Sequence, residues 1–138
     1  MTRYMLDTNI VSYIVRNRSA NARRQLSNLK EDEEACISVI TEAELLYGLA
    51  KRPQAGQLQK SVHAMLAKFD ILPWNSLAAA EYAGLRARNE STGRSLGNLD
   101  MLIAAQAIAE GVVLVTNEKA FAGIQGGLSI CNWADDVK

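Results

Sequence analysis

Three short acidic motifs, far apart in the chain, hold the residues whose types and spacing could do chemistry. They are Tyr4-Met5-Leu6-Asp7-Thr8-Asn9, Ala43-Glu44-Leu45-Leu46-Tyr47-Gly48 and Asn98-Leu99-Asp100-Met101-Leu102-Ile103-Ala104-Ala105. Each sets a carboxylate where a strand or loop hands over to a helix. Carboxylates gathered at one edge of a sheet form an all-oxygen donor set, which suits hard cations. Cations held in that way can drive phosphodiester hydrolysis.

The elements that must position these acids follow from apolar patterning. Strand-like runs lie at Tyr4–Leu6, Ala35–Ile37, Asp70–Leu72, Val112–Val115 and Ser129–Ile130. Helical patterns fall between them, at about Ile10–Val15, Asn21–Leu29, Val39–Lys51, Gln57–Lys68, Leu77–Glu90 and Leu99–Glu110. This alternation predicts βαβ crossovers and a parallel sheet of about five strands covered on both faces. Val112-Val113-Leu114-Val115 lacks polar alternation, as expected of a strand buried on both sides. Arg52-Pro53, Leu72-Pro73, Gly93, Gly97, Gly111 and Gly126-Gly127 mark the turns. The charged stretch Lys30–Glu34 reads as a solvated turn, since no rigid element orients its carboxylates.

Composition narrows the class. The 138 residues fit one domain, 1–138, with 49% hydrophobic and 22% charged residues, an ordinary soluble balance. Lys plus Arg and Asp plus Glu number 15 each, so net charge neither points to a nucleic-acid partner nor excludes one. Cys36 and Cys131 are isolated thiols without a CxxC spacing, as expected of small buried hydrophobes in a reducing cytoplasm. No apolar run is long enough to span a bilayer, and the N-terminus lacks the apolar stretch of a signal peptide.

Each acid has a structural role to set against a functional one. Asp7 is a favoured helix N-cap and also a candidate ligand at the carboxyl end of the first strand. Thr8 or Asn9 could do the capping instead. Asp100 opens a helix that is apolar almost all round, and it shares a face with Ile103, Ala104 and Ala107. The helix dipole favours it there, but a carboxylate on a buried face also needs a compensating charge. Glu42 and Glu44 compete for one role. Periodicity puts Glu42 with Leu46 and Leu49 on the buried side, and Glu44 with Gly48 and Lys51 on the polar side. Thr41-x-x-Glu44 also fits a capping box. Near the fourth strand, Glu118 is a candidate fourth acid, and Thr116 could hydrogen-bond a carboxylate or a phosphate. His63, Trp74 and Trp133 read as surface, packing or core residues.

Taken together, these motifs resemble the PIN-domain ribonucleases, and most closely the VapC toxins of bacterial toxin–antitoxin pairs. The likeness rests on Met5–Asn9, on Ile37–Gly48, on Gly93–Ala104 and on Val115–Phe121. It implies a three-layer α/β/α sandwich with a mainly parallel sheet. The family acid of the second motif precedes the Leu of a Glu-Leu-x-x-Gly pattern and follows a Ser by six positions, which points to Glu44. The fourth acidic position is usually Asp in the family and stands here as Glu118, beside Asn117.

The resemblance further implies Mg²⁺ or Mn²⁺ on Asp7 and Asp100, with Glu44 completing the shell or helping to activate water. Glu118 is the candidate for a second ion. The implied substrate is RNA, with tRNA one candidate, and Arg86, Arg88 and Arg94 are basic candidates for guiding it. A VapB-like antitoxin, operator DNA reached only through that antitoxin, and a homodimer are the implied partners. Apolar residues on the first and third helices, among them Tyr13, Ile14 and Tyr47, would wall an antitoxin groove. The alternative is a non-catalytic PIN-like interaction module acting through antitoxin and operator. A haloacid-dehalogenase-type phosphatase would need an acid at the position of Asn9.

Overall fold

A computed structural model describes residues 1–93, 96–124 and 126–137. Five parallel strands form one sheet in the order β3-β2-β1-β4-β5. They are β1 (Thr2–Leu6), β2 (Glu33–Ser38), β3 (Asp70–Leu72), β4 (Val113–Val115) and β5 (Ser129–Cys131). The helices are α1 (Thr8–Val15), α2 (Ala20–Ser27), α3 (Val39–Ala50), α4 (Gly56–Leu66), α5 (Ser76–Ser91) and α6 (Asn98–Glu110). Every predicted strand and helix is present, with ends shifted by a residue or two, as expected where capping rather than periodicity sets a boundary.

The alternation of side chains along each strand builds two cores. Leu6, Ile37 and Val115 point to one face and pack with α1, α2, α3 and α4. Met5, Cys36, Leu72 and Leu114 point to the other and pack with α5, α6 and Phe121. Both faces of the central strands are thereby dry, which is why β4 shows no polar alternation. Cys36 is fully buried, and that burial pushes its thiol up to about 12, so it packs as a small hydrophobe.

The chain builds β1, β2 and β3 outward in one direction, then crosses to lay β4 on the other side of β1. The order therefore reverses between β1 and β4, where Leu6 pairs with Val115. In open parallel sheets the crevice beyond the carboxyl ends of such strands is where ligands bind. Asp7 follows β1 and Thr116 follows β4, so both stand at this crevice. Among the described residues, no helix is long and apolar enough to cross a membrane.

Candidate active site

Asp7 is itself the N-cap of α1: its Oδ1 accepts a hydrogen bond from the backbone N–H of Ile10 at 2.9 Å. Neither Thr8 nor Asn9 is needed as cap. Thr8 is instead free to reach α3, where its Oγ1 donates to Glu44 Oε1 at 2.6 Å and lies 3.4 Å from Thr41 Oγ1. Thr8 is a site residue with no sequence signal beyond its place directly after Asp7. This short bond ties the first motif to the second.

The second motif corrects two sequence expectations. The cap of α3 is Ser38, whose Oγ accepts from Ile40 N–H, so Thr41 lies inside the helix and the capping box is not formed. The buried stripe is Thr41, Leu45 and Leu49, and Leu46 is exposed. Glu42 therefore gains no support from Leu46. The helix carries more apolar residues than one stripe can bury, so periodicity could not fix its rotation. Glu44 is the acid held by Thr8.

Asp100 sits in the first turn of α6, half-buried. Thr116 is buried, and its Oγ1 accepts from Glu118 N–H at 3.0 Å. Glu118 is exposed and caps the short 3₁₀ turn Lys119–Gly123 by accepting from Ala120 N–H. Beside it, Asn117 donates to the Tyr13 hydroxyl of α1 at 3.3 Å.

Burial and neighbouring charges act together on two of these acids. Burial pushes the Asp7 carboxyl up to about 6, and the charges of Asp100 and Glu44 push the same way. Hydrogen bonds from the Thr116 side chain and Ile10 N–H act against that rise. Asp100 is raised above the ordinary carboxylate range by burial first, and then by Glu44 and Glu118. Asp7 is thus acted on by Asp100 and Glu44, and Asp100 by Glu44 and Glu118, with no basic side chain among the causes of either shift. Among the described residues, no three acidic, His or Cys side chains are placed closely enough to hold a metal ion together. The donor chemistry nevertheless fits a hard divalent cation, because all donors are oxygens and their mutual repulsion is what a cation relieves.

The other expected residues are placed as follows. Arg86 is exposed and engaged within α5, by Glu90 at 3.0 Å and by the Tyr82 hydroxyl. The Arg88 guanidinium lies close to Gly84 and Gly126. Arg94 lies outside the described residues. Of the three suggested groove residues, Ile14 is core, Tyr13 is half-buried and Tyr47 is 64% exposed. Trp133 is buried against Tyr4, and Trp74 donates to Leu102 O, so both are structural.

The PIN domain pattern matches residues 4–127. The chain belongs to the PIN-domain family and, within it, to the VapC family. Ribonuclease VapC2 of Rickettsia felis is 37% identical over 131 residues, covering 94% of this chain and 97% of that protein. The tRNA(fMet)-specific endonuclease VapC of Shigella flexneri is 31% identical, covering 97% of this chain and all of that protein. Among solved structures, VapBC2 from Rickettsia felis bound to a promoter DNA fragment superposes with a TM-score of 0.89 at 35% identity, over 96% of this chain and 99% of that one. DNA-bound VapBC from Salmonella typhimurium gives 0.87 at 30% identity, over 96% and 99%.

Proposed function

We propose that this chain is the toxin of a type II toxin–antitoxin pair, a divalent-metal-dependent endoribonuclease that hydrolyses RNA phosphodiester bonds. The observation that carries it is the acid cluster at the switch point, where burial and the charges of Asp100 and Glu44 raise the proton affinity of Asp7, and burial and the charges of Glu44 and Glu118 raise that of Asp100. Family membership supports the same activity.

Asp7 and Asp100 would hold the cation, Mg²⁺ or Mn²⁺, with Glu44 and Glu118 completing its surroundings. When bound, it would supply charge neutralisation at the phosphoryl oxygens and a more acidic water. The chain's own part is positioning. Thr8 fixes the Glu44 carboxylate by its 2.6 Å hydrogen bond, leaving the other carboxylate oxygen for a water. Thr116 and Ile10 N–H hold the Asp7 carboxylate in its ionised form against burial. Because the Shigella relative is a tRNA(fMet)-specific endonuclease, tRNA is the first substrate class to examine.

A VapB-type antitoxin is the proposed silencing partner, with operator DNA reached through it, as the VapBC complexes on DNA support. A homodimer and a cytoplasmic location belong to the same proposal. The test is to sequence RNA ends after expressing the chain without partner, and to repeat cleavage with the pure protein. Cleavage should need a divalent cation, stop with EDTA, and vanish in Asp7→Asn and Asp100→Asn. Cleavage that persists in excess EDTA, or in both variants, would sink the proposal. A folded, antitoxin-binding protein with no cleavage at all would instead favour the interaction module.

A further inference from the structure

Gln106 is a buried polar residue that neither apolar packing nor the acid cluster explains. It is fully buried between Ala105 and Ala107, on a helix that is apolar almost all round. Its Nε2 donates to two consecutive carbonyls at the end of β3, Leu72 O at 3.1 Å and Pro73 O at 3.0 Å. Trp74, the next residue, returns the grip: its indole Nε1 donates to Leu102 O at 3.0 Å. These hydrogen bonds join residues 72–74 to about one turn of α6. We propose that this clamp positions Asp100, with Gln106 as the positioning residue: it fixes the rotation and axial register of α6 and so aims the Asp100 carboxylate into the acid cluster. The proposal rests on the metal-dependent ribonuclease function and adds to that site a residue outside its carboxylates.

Apolar packing alone does not set that register. Met101, Ile103, Ala104, Ala105 and Ala107 are all buried, so α6 is apolar in most directions and smooth where its alanines lie. Such a surface loses little when the helix turns or slides, because burial is non-directional. A slip of one residue is about 1.5 Å along the axis and about 100° around it, enough to take Asp100 out of the cluster. The start of α6 does not hold itself either, since Gly97 caps it without a side-chain hydrogen bond. Hydrogen bonds are directional, and fixing register is the best-attested use of a buried polar group. The clamp also has the right reference point. Leu72 pairs with Ser38 in the sheet, and Ser38 caps α3, the helix of Glu44. Gln106 therefore ties the helix of Asp100 to the strand ends from which the helix of Glu44 starts.

The cost of Gln106 is the independent observation. Its Oε1 is buried and accepts no hydrogen bond from the described residues. An unpaired buried polar atom lowers stability in a way that a Leu or Met at the same place would not. The donor half of the amide must therefore account for the residue. Both sides of the clamp are themselves anchored. Leu72 belongs to the sheet, and Asn75, directly after Trp74, caps α5 by accepting from Ala78 N–H at 3.2 Å. A segment held at both ends can impose its geometry on α6 rather than follow it.

The test uses Gln106→Met, which keeps length but removes both polar atoms, and Trp74→Phe, which keeps a ring but removes the donor. Mn²⁺ binding is measured without RNA by electron paramagnetic resonance. Thermal unfolding is followed on the same proteins, with kcat and KM on an RNA carrying the cleavage site mapped for the wild-type chain. Gln106→Met should weaken Mn²⁺ binding and lower kcat, each by about tenfold, the scale of loss when a ligand loses its outer support. KM should stay within about twofold, since substrate binding is not what the clamp serves. Trp74→Phe should move Mn²⁺ affinity and kcat the same way by a smaller factor. A role in folding alone gives a different pattern: a lower thermal midpoint, with Mn²⁺ affinity and kcat unchanged well below it. That pattern in Gln106→Met, or in Trp74→Phe should Gln106→Met fail to fold, would overturn the proposal. A wild-type chain that binds no Mn²⁺ and cleaves no RNA would overturn the metal-dependent function as well, a failure distinct from wild-type and variant proteins that bind and cleave alike.

Discussion

The two edges of the sheet treat the same chemical group in opposite ways. At the amino edge, acids are satisfied. Glu110 is paired with Arg3 at 3.2 Å, and Glu33 is held below the ordinary carboxylate range by the Lys30 backbone N–H and the Tyr4 hydroxyl. At the carboxyl edge, Asp7 and Asp100 are raised by burial and by other acids. Folding alone would select the first arrangement. The second persists where the strand order reverses, so the contrast separates carboxylates that serve the fold from those that serve a ligand.

Removing a charge from the crowded edge should break the contrast most. Asp7→Asn and Asp100→Asn are each expected to lower metal-dependent RNA cleavage by about a hundredfold or more, since even outer partners of ligands are worth 10–100-fold. Asn caps helices as well as Asp does, so α1 should survive the change at Asp7. Glu42→Gln should leave the rate within about twofold, because Glu44 and not Glu42 is the acid bonded to Thr8. Parallel rate measurements on the three variants check this, and a larger loss at Glu42 would reverse the assignment within α3.

The same substitution should act oppositely on stability. The folded state holds the Asp7 proton up to about 6, above the 3.8 of an ordinary Asp carboxyl, so protonation favours folding. That contribution is complete below the ordinary value, fades as pH rises through about 6, and leaves a charged, buried carboxylate at neutral pH. The difference is worth up to about 3 kcal/mol. Metal-free Asp7→Asn should therefore melt higher than wild type at pH 7.5, and the gain should vanish near pH 4. Added Mn²⁺ should raise the wild-type midpoint more than that of the variant. Thermal melts across pH, with and without the ion, read both effects. A variant less stable than wild type at pH 7.5 would show that Asp7 belongs with the satisfied acids.

Much of this was legible from residues, and what was not has identifiable causes. Strand positions were readable because Leu6, Ile37 and Val115 must bury one face and Met5, Cys36 and Leu114 the other, which leaves uninterrupted apolar runs. The acids at element junctions were readable because carboxylates there stand out from apolar surroundings. The rotation of α3 was not, since Leu45, Leu46 and Tyr47 are adjacent and only tertiary packing decides that Leu45 is buried. The Thr8–Glu44 bond spans 36 residues, so no local pattern could show it. Arg86 looked available in sequence, yet Glu90 stands one turn away and engages it.

A milder change sharpens the comparison within the site. Thr116→Val keeps the shape but removes a hydrogen bond that lowers the proton affinity of Asp7. The carboxyl should then hold its proton to higher pH, so the acidic limb of the pH–rate profile moves upward while the rate at its plateau falls less than in Asp7→Asn. An unmoved limb would mean that Asp7 ionisation does not set it.

The smallest effect is expected at the other edge. Arg3→Met keeps the apolar stem of the side chain over the sheet and deletes only the ion pair to Glu110. Both partners retain about a quarter of their side-chain exposure, so solvent screens the pair, and its loss should change stability by less than about 1 kcal/mol. Cleavage should be unchanged, because Glu110 ends α6 at the amino edge while Asp100 begins it at the carboxyl edge. Denaturant unfolding and a cleavage assay on the same preparation check the two halves. A substantial loss of activity with stability intact would mean that α6 transmits charge between the edges, and the two sets of acids would no longer be independent.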